Sequence, residues 1–327
     1  MTALSPARIA PPARSRSGLM RAVLFGHGTV GGGVAAALPA GVRLDGVVVR
    51  SRRSGLPRSV PVFTAPDEAL ALKPDLVIEA LPGGAQAEAV LERAVALGCH
   101  VVSANKEVCA RRPDLAARAR EQGTAFLCSA AVGGGVPVLE TVERLAHGGP
   151  GLSRVRGVLN GTSNFVLDRL ADGERLDEAI AAAQAAGFAE ADPGADLDGR
   201  DAACKLALIA RTAWGVDLDP AAIPARSIRD LPAGLPAKAA REGRRVRQVA
   251  ALARAGDGVH AGVHAGVRLE VLDLDDPLSR ARLEGNCVVL TPETGTPLIL
   301  SGKGAGRVPT AASMLADIAR LVAERCR

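Results

Sequence analysis

An α/β fold, in which a doubly wound parallel domain is joined to an α+β domain, is predicted by three observations on the 327-residue sequence. Short apolar runs alternate with Ala-rich helical stretches from Met20 to about Val138, a glycine-rich turn closes the first run, and the pattern changes after a Gly and Pro interruption at Gly148–Gly151. Alternation of this kind is what parallel strands joined by crossover helices require.

In chain order, strands are expected at Ala22–Phe25, Leu44–Val49, Leu76–Ala80, His100–Ser103 and Ala125–Cys128, with helices at Gly31–Leu38, Ala85–Ala96 and Pro113–Glu121 between them. Beyond the interruption a strand near Val155–Leu159 leads to helices near Thr162–Leu170, Leu176–Ala186 and Asp201–Thr212. Residues 217–250 are Pro- and Arg-rich and show no clear period, whereas Val259–Leu274 and Asn286–Leu290 alternate as strands do. Pro309 to Arg327 reads as an amphipathic helix with its proline near the start. The expected domains are a disordered tail over 1–19, a first domain over 20–138 to which 301–327 returns, and a second domain over 139–300.

Apolar residues make up 48% of the chain, so a large core can be buried. With no Tyr and Trp214 alone, that core is built from Ala, Val and Leu, and the stacking platforms of single-stranded nucleic-acid binders are missing. Residues 1–60 carry nine Arg against one acid, Asp45, whereas the whole chain is only +5. The basicity is local, and its place around the glycine turn suits a phosphate-bearing cofactor rather than nucleic acid or a membrane surface. No run of about 18 apolar residues exists to span a bilayer. The tail holds Arg8, Arg14 and Arg16 among Pro6, Pro11 and Pro12. It lacks the apolar stretch of a secretory signal, and its prolines oppose the amphipathic helix of a transit peptide. Six cysteines without a CxxC pair indicate neither a zinc site nor a disulfide framework and point to a reducing cytoplasm.

The turn is Gly26-His27-Gly28-Thr29-Val30-Gly31, between a strand and a helix and within one βαβ span. The first Gly permits the tight turn, the second lets a pyrophosphate approach the backbone, and the third packs helix on strand. This context predicts dinucleotide binding, with His27 pointing to solvent. At the end of the second strand, where an NAD enzyme presents an acid to the ribose, the chain instead reads Arg50-Ser51-Arg52-Arg53, and Asp45 lies at the wrong end of the strand. Guanidiniums suit a 2′-phosphate, so Ser51, Arg52 and Arg53 predict NADP preference with NAD as the lesser substrate.

Between Gly187 and Lys205 stand Glu190, Asp192, Asp196, Asp198 and Asp201, and Asp201 and Lys205 are four apart, on one helix face. Taken alone, such a cluster also fits a solvated loop or a cation site, and Asp201 with Lys205 an exposed ion pair. Thr162, at a predicted helix start, fits an N-cap as well as a ligand contact.

With these motifs the chain resembles the homoserine dehydrogenases. The resemblance spans roughly residues 20–327 and rests on the glycine turn, Ser103-Ala104-Asn105-Lys106, Ala131-Val132-Gly133-Gly134-Gly135-Val136-Pro137, Asn160-Gly161-Thr162-Ser163-Asn164 and Gly302-Lys303-Gly304-Ala305-Gly306 in that order. Its most specific part is Gly187-Phe188-Ala189-Glu190-Ala191-Asp192-Pro193 followed by Asp196, Gly199, Asp201 and Lys205. It implies an NADP-dependent oxidoreductase interconverting L-homoserine and L-aspartate 4-semialdehyde, on the route to threonine and methionine, as a homodimer joined through the second domain. The alternatives are a dehydrogenase of a related amino-acid semialdehyde and a non-catalytic NADP-binding paralogue.

By resemblance Lys205 and Lys106 are the catalytic lysines, their mutual repulsion keeping one neutral, and Asp201 orients Lys205. Glu190 meets the substrate's amino group with Asp196 nearby, while Gly161 and Thr162 contact substrate or nicotinamide. Asn105, Lys106 and Gly304 join Gly26, Gly28, Thr29, Val30 and Gly31 at the cofactor. The backbone carbonyls of Val132, Gly134 and Val136 are the implied holders of a monovalent cation, but relatives place a carboxylate where this chain has Ser129. Residue 188 is Phe where relatives often carry Tyr, and the chain is expected to be a short form without the appended amino-acid-sensing domain.

Overall fold

The computed structural model describes residues 18–51, 55, 59–255, 262–304 and 306–325. The first domain runs β1 (Met20–Phe25), α1 (Thr29–Ala36), β2 (Val42–Val48), β3 (Val62–Phe63), α2 (Pro66–Leu70), β4 (Leu76–Glu79), α3 (Ala85–Ala96), β5 (His100–Ser103), α4 (Lys106–Arg111), α5 (Pro113–Glu121) and β6 (Phe126–Leu127). Its six strands are all parallel in the order β3-β2-β1-β4-β5-β6, the doubly wound dinucleotide-binding arrangement. Both faces are covered: α3 and α5 bury Val23, Phe25, Val77 and Val101 on one side, while the other side buries Ala22, Leu24, Leu76 and Ile78. Strands buried on both faces read as continuous apolar runs, which is why they were legible.

The second domain begins with α6 (Val138–Gly148) and β7 (Arg154–Val158), followed by α7 (Gly161–Ala171), α8 (Leu176–Ala185), α9 (Gly194–Leu197), α10 (Arg200–Trp214) and α11 (Leu235–Arg241). It closes with β8 (Arg244–Ala255), β9 (Gly262–Asp273), β10 (Gly285–Thr291) and β11 (Leu298–Lys303). The five strands are antiparallel in the order β11-β10-β7-β8-β9. One face packs Val155, Ala250, Leu252, Val288 and Leu290 against Leu206, Ile209 and Ala210 of α10 and Leu139 and Val142 of α6.

Two expectations are corrected and one open stretch is assigned. The chain does not return to the first domain at residue 301, because Leu298–Lys303 is β11, paired with β10 from Leu290↔Leu298 to Gly285↔Lys303. The return is made by α12 (Arg307–Arg325), whose Ala311, Met314, Ile318 and Leu321 cover the β1 side of the first sheet. The unassigned stretch 217–250 contains α11 and the start of β8. Asp45 lies within β2, where Arg21 Nε at 2.6 Å and Arg43 Nε at 2.7 Å occupy its carboxylate. Among the described residues no helix is long and apolar enough to cross a membrane.

Candidate active site

The β1–α1 turn has the geometry its glycines predict. Gly26 has φ +90°, and a Cβ there would stand 2.5 Å from the Ala80 carbonyl oxygen. A Cβ on Gly31 would meet the Gly26 carbonyl oxygen at 1.9 Å, whereas one on Gly28 would meet nothing within 4 Å. The outer glycines are required by packing, and the middle one leaves room above the N-terminus of α1, where Thr29 and Val30 present free backbone N–H groups. His27 is half-buried, with its ring 3.5 Å from where a Gly32 Cβ would be, so it lies over α1 and does not point to solvent. Arg50 and Ser51 are exposed at the end of β2 with no carboxylate beside them in sequence. Arg52 and Arg53 lie outside the described residues, as do residues 1–17 of the tail and Ala305.

A cavity of about 660 Å³ opens between the domains, walled by Lys106 from the first and by Asn160, Thr162, Asp196, Asp201 and Lys205 from the second. Lys106 is the first residue of α4, capped by the Asn105 side chain, rather than a loop residue. Gly199 adopts φ +74° at the N-cap of α10, where a Cβ would crowd Val267 at 3.0 Å. Two residues later Asp201 is 4% exposed, and one turn beyond it Lys205 is 8% exposed. Lys205 Nζ donates to Asp201 Oδ2 at 2.7 Å and to the Leu159 carbonyl at 2.5 Å, while Lys106 Nζ pairs with Asp201 Oδ1.

Asn160, quoted in a motif but given no role by the sequence, caps α7 by accepting from Ser163 N–H and donates from Nδ2 to Asp196 at 2.7 Å and to Asp201 at 2.8 Å. An Asn at a helix start was the available signal. Thr162 is therefore not the cap, and its hydroxyl donates to the Phe188 carbonyl at 2.5 Å. The Phe188 ring stacks on Phe165 with centroids 4.8 Å apart. Gly161 must be small, because a Cβ would lie 3.0 Å from Glu284 Cα. Glu284 and Lys303, which pair at 3.1 Å on the cavity wall near Gly304, were not anticipated.

Burial favours the neutral acid at Asp201, but the charges of Lys205 and Lys106 and their hydrogen bonds hold its carboxyl well below the ordinary range. At Lys106 burial acts to lower the pKa, yet the Asp201 carboxylate, with Asp196 behind it, raises the ammonium above its usual value. Of the two lysines, Lys106 is therefore favoured in its charged form by the carboxylate it shares. Glu190 is exposed and is not among the residues that line the cavity, whereas Gly187 and Phe188 of the same segment are. At the expected cation loop Ser129 binds the buried Asp317 through its N–H at 3.0 Å and its hydroxyl at 2.7 Å, and the Val136 carbonyl accepts from Val138 N–H at 2.7 Å. Val132 and Gly134 are buried in the same loop.

A family profile described as homoserine dehydrogenase matches residues 137–319, and one described as homoserine dehydrogenase, NAD binding domain, matches residues 26–129. The homoserine dehydrogenase of Synechocystis sp. is 34% identical over 317 residues, covering 91% of this chain and 72% of that protein. The NAD(+)-dependent homoserine dehydrogenase of Pseudomonas canavaninivorans is 35% identical over 222 residues, covering 68% of this chain and 62% of that one. A crystal structure of a homoserine dehydrogenase from Thiobacillus denitrificans superposes with a TM-score of 0.86 at 29% identity, over 94% of this chain and 74% of its own. A hyperthermophilic archaeal homoserine dehydrogenase in complex with NADPH superposes with a TM-score of 0.76 at 22% identity, over 93% of this chain and 98% of its own, and so shares the fold.

Proposed function

The chain belongs to the homoserine dehydrogenase family, oxidoreductases acting on a CH–OH group, and we propose that its interdomain cavity interconverts the alcohol of L-homoserine and the aldehyde of L-aspartate 4-semialdehyde through Lys205 and Asp201. The observation that carries the reading is the buried carboxylate of Asp201 shared by two lysines on the cavity wall. An ammonium has three N–H donors, and Lys205 commits two of them to Asp201 and Leu159. The third is available to the substrate oxygen, giving it a proton as the carbonyl is reduced and taking it back as the alcohol is oxidised. Lys106, from the other domain, adds a second positive charge beside that oxygen and ties the domains across Asp201. Asp196, held by Asn160, receives the substrate's ammonium inside the cavity, and Glu190 receives it from the rim. When bound, the nicotinamide cofactor supplies the hydride acceptor.

The Gly26–Gly31 turn would hold the cofactor, together with Asn105, Lys106 and Gly304. NADP is preferred, because the sequence following β2 reads Arg50-Ser51-Arg52-Arg53 and the strand's own acid, Asp45, is occupied by Arg21 and Arg43. Relatives differ here: one is named NAD(+)-dependent and another was solved with NADPH. The carbonyls of Val132 and Gly134 are the donors best placed for a monovalent cation; equal turnover and equal Tm in potassium and choline chloride would remove the cation. The homodimer forms through the sheet face opposite α6 and α10, at the row Ile299, Val289, Arg156, Ala251 and Gly266, beside the part of that face that Leu278 and Ala281 cover over Val158, Val249 and Cys287.

Initial rates with homoserine and each cofactor test these assignments. Arg52→Asp is expected to reverse the NADP to NAD efficiency ratio, and an unchanged ratio would refute the preference. Asp196→Asn and Glu190→Gln are each expected to raise KM for homoserine with cofactor Kd unaltered; a normal KM in either removes that residue from substrate binding.

A further inference from the structure

At the start of β8, beside the C-terminal ends of α7 and α11, stands a group of arginines that the chemistry does not use. Arg247 on β8 is 1% exposed. It donates to the Ala281 carbonyl at 2.9 Å, the Val246 carbonyl at 2.8 Å and Asp168 Oδ1 at 2.7 Å. The other oxygen of Asp168 faces Arg282 Nε at 3.3 Å, and Arg245 donates to the Ser279 carbonyl at 2.9 Å. These groups, with Arg244 and Asp172, wall a separate cavity of about 170 Å³. Arg244 is answered by Glu242, which leaves Arg245, Arg247 and Arg282 against Asp168 and Asp172. Burial first, and then the neighbouring charges of Arg245 and Arg282, press Arg247 below its ordinary pKa against the pull of Asp168.

A positive excess in a partly desolvated pocket favours an anion, and guanidinium forks match oxyanions bidentately. The space is smaller than the roughly 300 Å³ at which pockets for drug-sized ligands begin, so the ligand is a small ion. The pocket is also close to the active site along the chain. Arg282 opens a turn in which Leu283 holds φ +50°, a conformation costly for a branched residue, and the next residue, Glu284, walls the homoserine cavity.

We propose that this pocket binds inorganic phosphate or an equivalent small oxyanion between Arg245 and Arg282, and that its occupancy fixes the Arg282–Glu284 turn against the active-site cavity. The second half rests on reading that cavity as the homoserine site; the first half does not. The test is the Tm of the full chain with NADPH saturating, so that the cofactor's own phosphate sites are filled, titrated with phosphate against sodium chloride at matched ionic strength, together with KM for homoserine measured in the same salts with saturating NADP in place of NADPH. A saturable rise in Tm and a change in KM of about fivefold are expected. Both should vanish in Arg282→Gln and in Arg245→Gln, and persist in Arg118→Gln, a remote surface control. No saturable rise, or an equal rise in all three variants, overturns the site. A rise that obeys the variants while KM stays constant overturns the coupling to the turn.

Discussion

Burying a carboxylate and an ammonium costs several kcal/mol per ion unless both are paired and hydrogen-bonded, and Asp201 and Lys205 meet that condition within one helical turn. Their pairing was legible, because a spacing of four stacks side chains on one face. The third member, Lys106, was legible only through resemblance, since no local period connects residues so far apart in the chain. Asn160 was missed in its function because a cap residue reads as structural; here the same side chain caps α7 and bridges two acids. The depressed pKa of Asp201 contributes stability above the unfolded value near 3.9, lost as pH falls through the folded one. The raised pKa of Lys106 contributes stability below the ordinary lysine value, lost as pH rises through the folded one. Asp201→Asn takes from Lys106 the carboxylate that raises its pKa, so its ammonium loses a proton more easily. The basic limb of the kcat/KM profile should move to lower pH, and kcat should fall roughly 10²-fold or more. A profile superimposable on that of the wild type would show that Asp201 does not govern Lys106.

At the scale of elements, the parallel strands were visible as apolar runs and the helices between them by composition. What escaped notice has a common physical cause, in that tertiary pairing overrides local pattern. Residues 244–248 read Arg-Arg-Val-Arg-Gln, which looks like surface, yet Arg247 is buried because Asp168 from α7 meets it. β3 is two residues long, below any periodicity, and β11 ends in a glycine-containing stretch that reads as a loop. The glycine turn was legible because sterics act locally. Gly31→Ala would put a methyl carbon 1.9 Å from the Gly26 carbonyl oxygen, which backbone must move to accommodate. A loss of about 1–3 kcal/mol in denaturant unfolding is expected, together with weaker NADPH binding. Unchanged stability and affinity would mean the turn relaxes freely and its packing is not what shapes the cofactor site.

For the whole molecule, two sheets of different kinds are joined by α12, which leaves the second sheet at β11 and packs on the first. The cavity lies where the domains meet, and the Lys106–Asp201 ion pair crosses it. The second sheet packs α6 and α10 on one face; the other is covered by Leu278 and Ala281 over Val158, Val249 and Cys287, and on that face Ile299 is 51% exposed. A copy of the chain packed there would bury it, so Ile299→Glu should convert dimer to monomer in sedimentation equilibrium, while a dimer that persists would move the interface elsewhere. In the proposed reaction Lys205, held by Asp201, moves the proton when homoserine is oxidised. This step is tested most directly by the steady-state rate of homoserine-dependent NADPH formation in the wild type and in Lys205→Ala, with NADPH Kd measured on both. Robust wild-type turnover, a loss of about 10²-fold or more in the variant, and retained cofactor affinity are expected. Near-normal turnover in Lys205→Ala would contradict it.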